Sequence, residues 1–366
     1  MMNSAAMSRD VQTHLQRPAV QPLVLGRRVD LQAAGVASAA RRARQHGLSL
    51  VELLVAMAIG LALLSALVTI YVNGSRSNLE QERSVRQLDN GRYAMEVIGE
   101  DISMAGYYGD VVVEDLTFGP VDACANTLGT LGWNAATATG PVAITGLAAD
   151  EAAAAACLDN HLAGTPALLI RRVDTARLQP AAAMAGTPYL QTSRCVSDPV
   201  ATKFVLAAAT ADFTLRTLDC ATANTVQRYI TRIYYVARCN ECGIDTVPTL
   251  KVAELRGAAF ASVPLAEGVE DIAFEFGFDT DANGSADVYQ TGLSGVAGAD
   301  NDWSNVVAAR VYLLTRTTEA TPGFTSDRTF NLGLAGARGP FADTFKRRVY
   351  VMTNRLNNVA GPRETP

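Results

Sequence analysis

Twenty consecutive residues, Leu53–Val72, carry no charge, and only Ser65 and Thr69 among them are clearly polar. At about 1.5 Å per residue, a helix of that length spans roughly the 30 Å of a bilayer core. Such a segment has to enter lipid or be covered by other apolar helices. Upstream lie Arg41, Arg42 and Arg44, and the bias of basic residues toward the cytoplasmic side turns everything after Val72 outward. Between the basic run and the apolar run stand Gly47, Leu48, Ser49, Leu50, Val51 and Glu52. Glu52 is the anomaly, because a carboxylate at the head of a membrane helix is costly and such residues usually have a partner and a function.

Basic residues, a glycine, a hydrophobic residue, three further positions, a glutamate and then the apolar run together resemble the class III leader of type IV prepilins and type II secretion pseudopilins. The resemblance implies that a membrane aspartyl peptidase cuts between Gly47 and Leu48 and that the new N-terminus is methylated. Leu48 then becomes the first residue and Glu52 the fifth. A secretory signal would instead place its cleavage site after the apolar stretch, which would be discarded. The leader is long for this family, and Met7 offers an alternative start.

Removing residues 1–47 takes away seven arginines and two aspartates, leaving 24 basic against 34 acidic side chains. That balance excludes the basic stripe of a nucleic-acid surface. Six cysteines (Cys124, Cys157, Cys195, Cys220, Cys239, Cys242) all follow the apolar segment. Outside the cytoplasm an even number reads as disulfides. The connectivity is open. Pairing of neighbours in order is the expectation, with Cys239–Cys242 the firmest because two residues separate them. Cys239-Asn-Glu-Cys242 could also be a redox pair or half a zinc site, but no second such pair, no nearby histidine and no βαβ setting accompanies it.

Beyond Asn73-Gly74-Ser75, the residues Leu79, Val85, Leu88, Met95, Ile98 and Ile102 recur at three-, four- and seven-residue steps. This predicts an amphipathic helix continuing to about Ala105 and ended by Gly106. The phrase from Arg92-Tyr93-Ala94-Met95 to Asp101-Ile102-Ser103-Met104-Ala105-Gly106-Tyr107 resembles the PilW-like minor pilins. After Tyr108 the sequence predicts strands at 167–173, 225–237, 248–255, 272–278, 306–315 and 347–353. Phe274, Phe276 and Phe278 alternate with Ala273, Glu275 and Gly277, as on a sheet with one buried face. The alanine-rich 147–156 reads as a short helix or a loop. The expected fold is α+β and pilin-like: a leader (1–47), a transmembrane half-helix (48–72), an amphipathic half-helix (73–106) and a β-rich globular domain (107–366). The helix packs on an antiparallel sheet carrying a disulfide-pinned insertion.

The strongest sign of chemistry is Asp279-Thr-Asp281-Ala-Asn283-Gly284-Ser285-Ala-Asp287. Oxygen donors at alternate positions with glycine sixth match the first nine positions of an EF-hand calcium loop. Its twelfth position is Gln290 instead of glutamate, so Asp300, Asp302 or water would have to complete the set. The alternative is a turn in which Asp, Asn and Gly serve the backbone alone. Enzyme readings fare badly. After the leader His161 is the single histidine and reads as a surface-loop residue, neither a P-loop nor a dinucleotide fingerprint occurs, and the glycine-rich Gly292–Gly298 lacks the spacing and a following helix. Arg347 and Arg348 read as solvated charges, and no carboxylate pair stands out.

The sequence therefore implies a non-catalytic minor pilin of the PilW type that enters or primes a type IV pilus. Its implied partners are prepilin peptidase, other minor pilins, the major pilin and the inner-membrane assembly platform. It would sit in the inner membrane with its domain in the periplasm, then on the pilus at the cell surface. The size of the domain suits a tip or priming position better than a repeating shaft. In the resembled family the fifth-position glutamate neutralises the terminal amine of a neighbouring subunit, which assigns Glu52 to assembly. A minor pseudopilin of type II secretion and a tip adhesin or sensor are the rival readings.

Overall fold

The computed structural model describes residues 49–198, 203–293 and 302–364. The chain divides into two compact units at Ser65/Ala66. A single helix, α1 (Leu50–Met104), of 55 residues begins in the first unit and ends in the second. By length and composition it can cross a membrane. Its large apolar side chains from Leu50 to Ile59 are all more than half exposed.

In the second unit α1 ends where the register predicts. Gly106 takes φ +74, a left-handed conformation that glycine adopts without strain, and its N–H donates to the Arg171 carbonyl at 3.0 Å. There follow β1 (Thr117–Gly119), β2 (Thr139–Pro141), β3 (Ile144–Leu147), α2 (Ala149–Ala154), β4 (Ala167–Val173), β5 (Tyr189–Thr192) and β6 (Phe204–Ala207). Next come β7 (Val226–Ala237), β8 (Thr249–Arg256), β9 (Ala259–Glu267), β10 (Val269–Phe278) and β11 (Val288–Gln290). The chain closes with β12 (Val306–Arg316), β13 (Phe330–Asn331), β14 (Ala337–Arg338), β15 (Arg347–Arg355) and α3 (Asn357–Ala360).

Two antiparallel sheets dominate. One has four strands in the order β11-β10-β12-β15. The other has seven, with β7 at its hub pairing β4, β5 and β8, while β3, β6 and β9 extend it. The sequence anticipates one sheet with an insertion. Instead, the region between Cys124 and Cys220 supplies β3–β6 of the larger sheet. The six cysteines pair as Cys124–Cys157, Cys195–Cys220 and Cys239–Cys242. All six predicted strands form. The nine-residue β9 escaped prediction, because its alanines and Pro264 weaken the strand signal, and proline is tolerated there since β9 pairs β8 alone.

The buried face of α1 (Ala94, Met95, Ile98 and Ile102) joins Leu168, Ile170, Tyr234, Phe274, Phe276 and Val311 in one core. Burying side chains such as Ile98 and Ile102, both 0 % exposed, contributes about 1.5–3 kcal/mol each. The phenylalanine strand β10 corrects the one-face expectation. Ala273 and Glu275 on the alternate face are also buried, because the segment around Leu332 lies over them. Glu275 is satisfied there by Arg310 at 2.8 Å and by the Leu334 N–H at 2.8 Å.

Candidate functional site: the helix start and its clamp to the sheets

Gly47 and Leu48 lie outside the described residues. Immediately after them the chain builds a reciprocal cap. The Ser49 N–H donates to Glu52 Oε2 at 3.0 Å, and the Glu52 N–H donates to Ser49 Oγ at 3.2 Å. Together these bonds satisfy two main-chain donors that a helix start leaves without partners. Glu52, singled out for its charge, thus also has a local role. Ser-x-x-Glu before an apolar run was the legible signal for it, and Ser49 is the residue that sequence reasoning passed over.

The second half of α1 is clamped to both sheets by polar contacts at its flanks. Lys346 reaches Glu80 at 2.6 Å, Gln87 Nε2 donates to the Thr315 and Lys346 carbonyls, and Asn90 donates to the Glu267 carbonyl at 3.1 Å. Between them the backbone comes close. A Cβ on Gly91 would enter the Tyr350 ring, and one on Gly99 would come 2.7 Å from Met352 Sδ. Glycine inside a helix costs roughly 0.5–1 kcal/mol against alanine, and here that cost allows β15 to lie against the helix.

Near the helix end Asp101, 3 % exposed, enters a charged cluster. It accepts from Arg172 at 2.9 Å, from Arg232 at 2.9 Å and from the Tyr234 hydroxyl. Arg232 in turn pairs with Glu254 at 2.9 Å, which also holds Arg228 at 3.1 Å. Burial by itself would raise the Asp101 pKa, but Arg232, Arg172 and the Tyr234 hydroxyl outweigh it and leave the carboxyl below its ordinary value. Glu254 is lowered in the same way. Burial, then Asp101, pushes the Tyr234 phenol well up. The alternation of β4 and β7 places Arg172, Arg232 and Tyr234 on the face toward α1. Sequence reasoning did not single out Asp101, although a carboxylate three residues after Ile98 falls on the apolar stripe.

The turn after β10 brings together three of the five residues expected to hold calcium. Carboxylate oxygens of Asp279, Asp281 and Asp287 lie within 4.8 Å of one another. Asp279, fully buried at its side chain, accepts the Asn283 N–H at 3.1 Å, the Gly284 N–H at 2.9 Å and Arg363 at 3.1 Å. Asn283 Oδ1 accepts the Ser285 N–H, and Asp287 accepts from Thr280. The oxygen-only donor set fits a hard cation, with the Arg363 guanidinium on one oxygen as its competitor. Asp302 instead caps a short helical turn through the Ser304 N–H at 2.9 Å, and Asp300 lies outside the described residues.

Two other expectations are corrected. His161 is not a surface-loop side chain: it is half-buried and bridges to Ala237. Its Nε2 lies 2.9 Å from the Thr165 carbonyl, and burial lowers its pKa. Arg347 is not solvated. Its side chain is 0 % exposed, paired with Glu270 and with Asp343 at 2.6 Å, and stacked on Phe341 with 3.7 Å between the guanidinium carbon and the ring centre. Arg348 is exposed as expected.

Residues 233–358 match the family model described as Type IV Pilus-assembly protein W, and residues 42–68 match the prokaryotic N-terminal methylation motif. Over these two stretches the chain is similar to the PilW-like type IV pilins. The second match spans Gly47, Leu48 and the Ser49–Glu52 cap, and the first begins on β7 and runs through β15. Pilins are structural proteins, so the family assignment implies a non-enzymatic role. Among solved structures the PilW-like chain is similar to a type IV-like pilin from Thermus thermophilus, at 10 % identity over 75 % of this chain and 97 % of that one, with a TM-score of 0.33. No curated protein matches it.

Proposed function

We propose that this pilin is a minor subunit that enters or primes a type IV pilus after prepilin peptidase cuts between Gly47 and Leu48. The observation that carries this reading is the placement of the methylation motif at the head of the helix whose far end is built into the PilW domain. In the inner membrane, Leu53–Val72 would span the lipid with the domain in the periplasm, and the assembly platform and other pilins would be its partners. Glu52 would leave its cap on Ser49 to meet the amine of a neighbouring Leu48, since two charges in hydrocarbon are each costly and pairing gives both a partner. The mature N-terminus, measured by mass spectrometry with and without prepilin peptidase, tests the reading. The expected product begins at methylated Leu48 and depends on the peptidase, whereas an uncut chain, or one cut elsewhere, removes it. Recovery of the protein with a type II secretion pseudopilus, and not with pili, would favour the pseudopilin alternative. Binding of a surface ligand by the exported domain would favour the adhesin.

We also propose that the Asp279–Asp287 turn takes calcium weakly, with Asp281 and Asp287 as charged ligands and Arg363 competing for Asp279. Removing that competing positive charge should tighten binding by about tenfold, one step of roughly 1.4 kcal/mol. Calorimetry on the wild type and on Arg363→Ala reads this directly. Absence of binding heat in both proteins would leave the turn a purely structural one.

A further inference from the structure

Between α1 and the stretch 324–330 lies a cavity of about 420 Å³ that the start of β15 also lines. Bonds of the fold itself hold its walls. The Thr321 N–H donates to the Thr344 carbonyl at 2.8 Å, and Ser326 exchanges main-chain bonds with Asp343 and Ala342, each at 3.2 Å. Arg83 of α1 donates to the Ala320 carbonyl at 3.2 Å, and Lys346 reaches Glu80 at 2.6 Å. The volume falls in the range of about 300–1,000 Å³ usual for small-ligand sites. Four cations line the space, and two of them are already matched, Lys346 by Glu80 and Arg347 by Glu270 and Asp343. The other two, Arg328 and Arg348, and the lining carboxylate Asp327 form no ion pair or side-chain hydrogen bond among the described residues. One positive charge is therefore left unanswered. An exposed charge ordinarily needs nothing but water, but here three of them converge on one walled space beside two aromatic rings, Phe324 and Phe330.

The side chains define what suits the space. Arginine guanidinium groups hold carboxylates through paired hydrogen bonds of fixed geometry. Asp327 repels a second negative charge but accepts hydroxyl hydrogens, and the Thr325 and Ser84 hydroxyls on the same lining donate or accept. The half-buried rings of Phe324 and Phe330 offer apolar faces. A fitting ligand thus carries one negative charge, several hydroxyls and a ring with an apolar face. We propose that the cavity binds a hexuronic acid, free or as a residue of an acidic polysaccharide. Arg328 and Arg348 hold its carboxylate, while Asp327, Thr325 and Ser84 meet its hydroxyls. A phosphate dianion brings a second charge that Asp327 opposes, and an acidic peptide brings no hydroxyls for Asp327 to accept.

Ligand-observed NMR titration of the full chain in detergent tests the site, with glucuronate and galacturonate as probes. Glucose, inorganic phosphate and a hexaglutamate peptide are the comparisons. At least one uronate should bind with a Kd on the order of 1 mM, and glucose and phosphate should bind roughly tenfold more weakly or not at all. Arg328→Gln and Arg348→Gln should each weaken uronate binding by about tenfold, as expected for loss of a charged hydrogen bond. Asp327→Ala should weaken uronate binding and strengthen phosphate binding. All three positions are exposed, so unchanged unfolding midpoints will show that the variants fold. Absence of uronate binding, glucose bound as tightly as the uronates, or phosphate or hexaglutamate bound more tightly would each overturn the assignment. Uronate binding undiminished in both arginine variants would overturn it as well.

Discussion

Asp101→Ala is expected to destabilise the globular unit by about 3–5 kcal/mol, the cost typical of removing one partner from a buried ion pair. The size follows from what is left behind. Arg172 and Arg232 would remain on the inner face of the sheet with one carboxylate, Glu254, near only the second of them, and Tyr234 would lose its acceptor. Denaturant unfolding of the full chain in detergent measures the loss directly. A change below about 1 kcal/mol would mean that water reaches the cluster and screens it as at a surface. The pH dependence gives a second reading. Asp101 and Glu254 are both held below their ordinary values in the folded state. Their stabilisation is therefore fully present above the unfolded pKa, near 4, and is lost as pH falls through the lower folded values. The deficit of Asp101→Asn relative to wild type should thus be constant from about pH 5 to 7 and shrink in acid. A deficit that grew in acid would reverse the sign and exclude the assignment.

Glu52→Gln is expected to separate the two roles of that side chain. Glutamine can still accept the Ser49 N–H, so the cap and the helix start should survive, while the charge is gone. If the charge pairs with a neighbour's amine inside lipid, incorporation into pili should fall on the order of tenfold to a hundredfold. That corresponds to the roughly 2.5–3.5 kcal/mol at stake for a charge at the centre of a membrane helix, with partial relief near its end. Glu52→Val should fall as far, and both variants should still be cut after Gly47. Ser49→Ala removes one capping bond, worth about 0.5–2 kcal/mol of helix stability, and should assemble normally. Quantifying the subunit in sheared pili distinguishes the cases. Wild-type incorporation of Glu52→Gln would show that the carboxylate matters as a cap and not as a charge.

Much of this architecture was legible because it rests on local periodicity. The uncharged run Leu53–Val72 and the spacing of Leu79 to Ile102 announce one long helix, and Gly106 announces its end. β4 and β7 are apolar and β-branched enough to be read directly. β9 was not, because Pro264 and its alanines lower the local signal and its place on the sheet edge rests on pairing with β8. Arg347 was misread for a related reason. A charged residue defaults to solvent until Glu270, Asp343 and Phe341, two of them within six residues and one 77 away, are found around it. The Asp279 turn was recognised as a cluster of donors, but not that Arg363, 84 residues later, would sit on its first carboxylate.

The sequence by itself determined the apolar helix, the methylation motif at its head and the carboxylate of Glu52 within that motif. Those properties depend on neighbours within a few turns of one helix, which local composition records in full. Tertiary structure alone decided which charges are buried and paired. Asp101 and Arg347 acquire their roles from strands far away in the chain, and the electrostatics of a buried charge depend on distance in space, which spacing along the sequence does not encode.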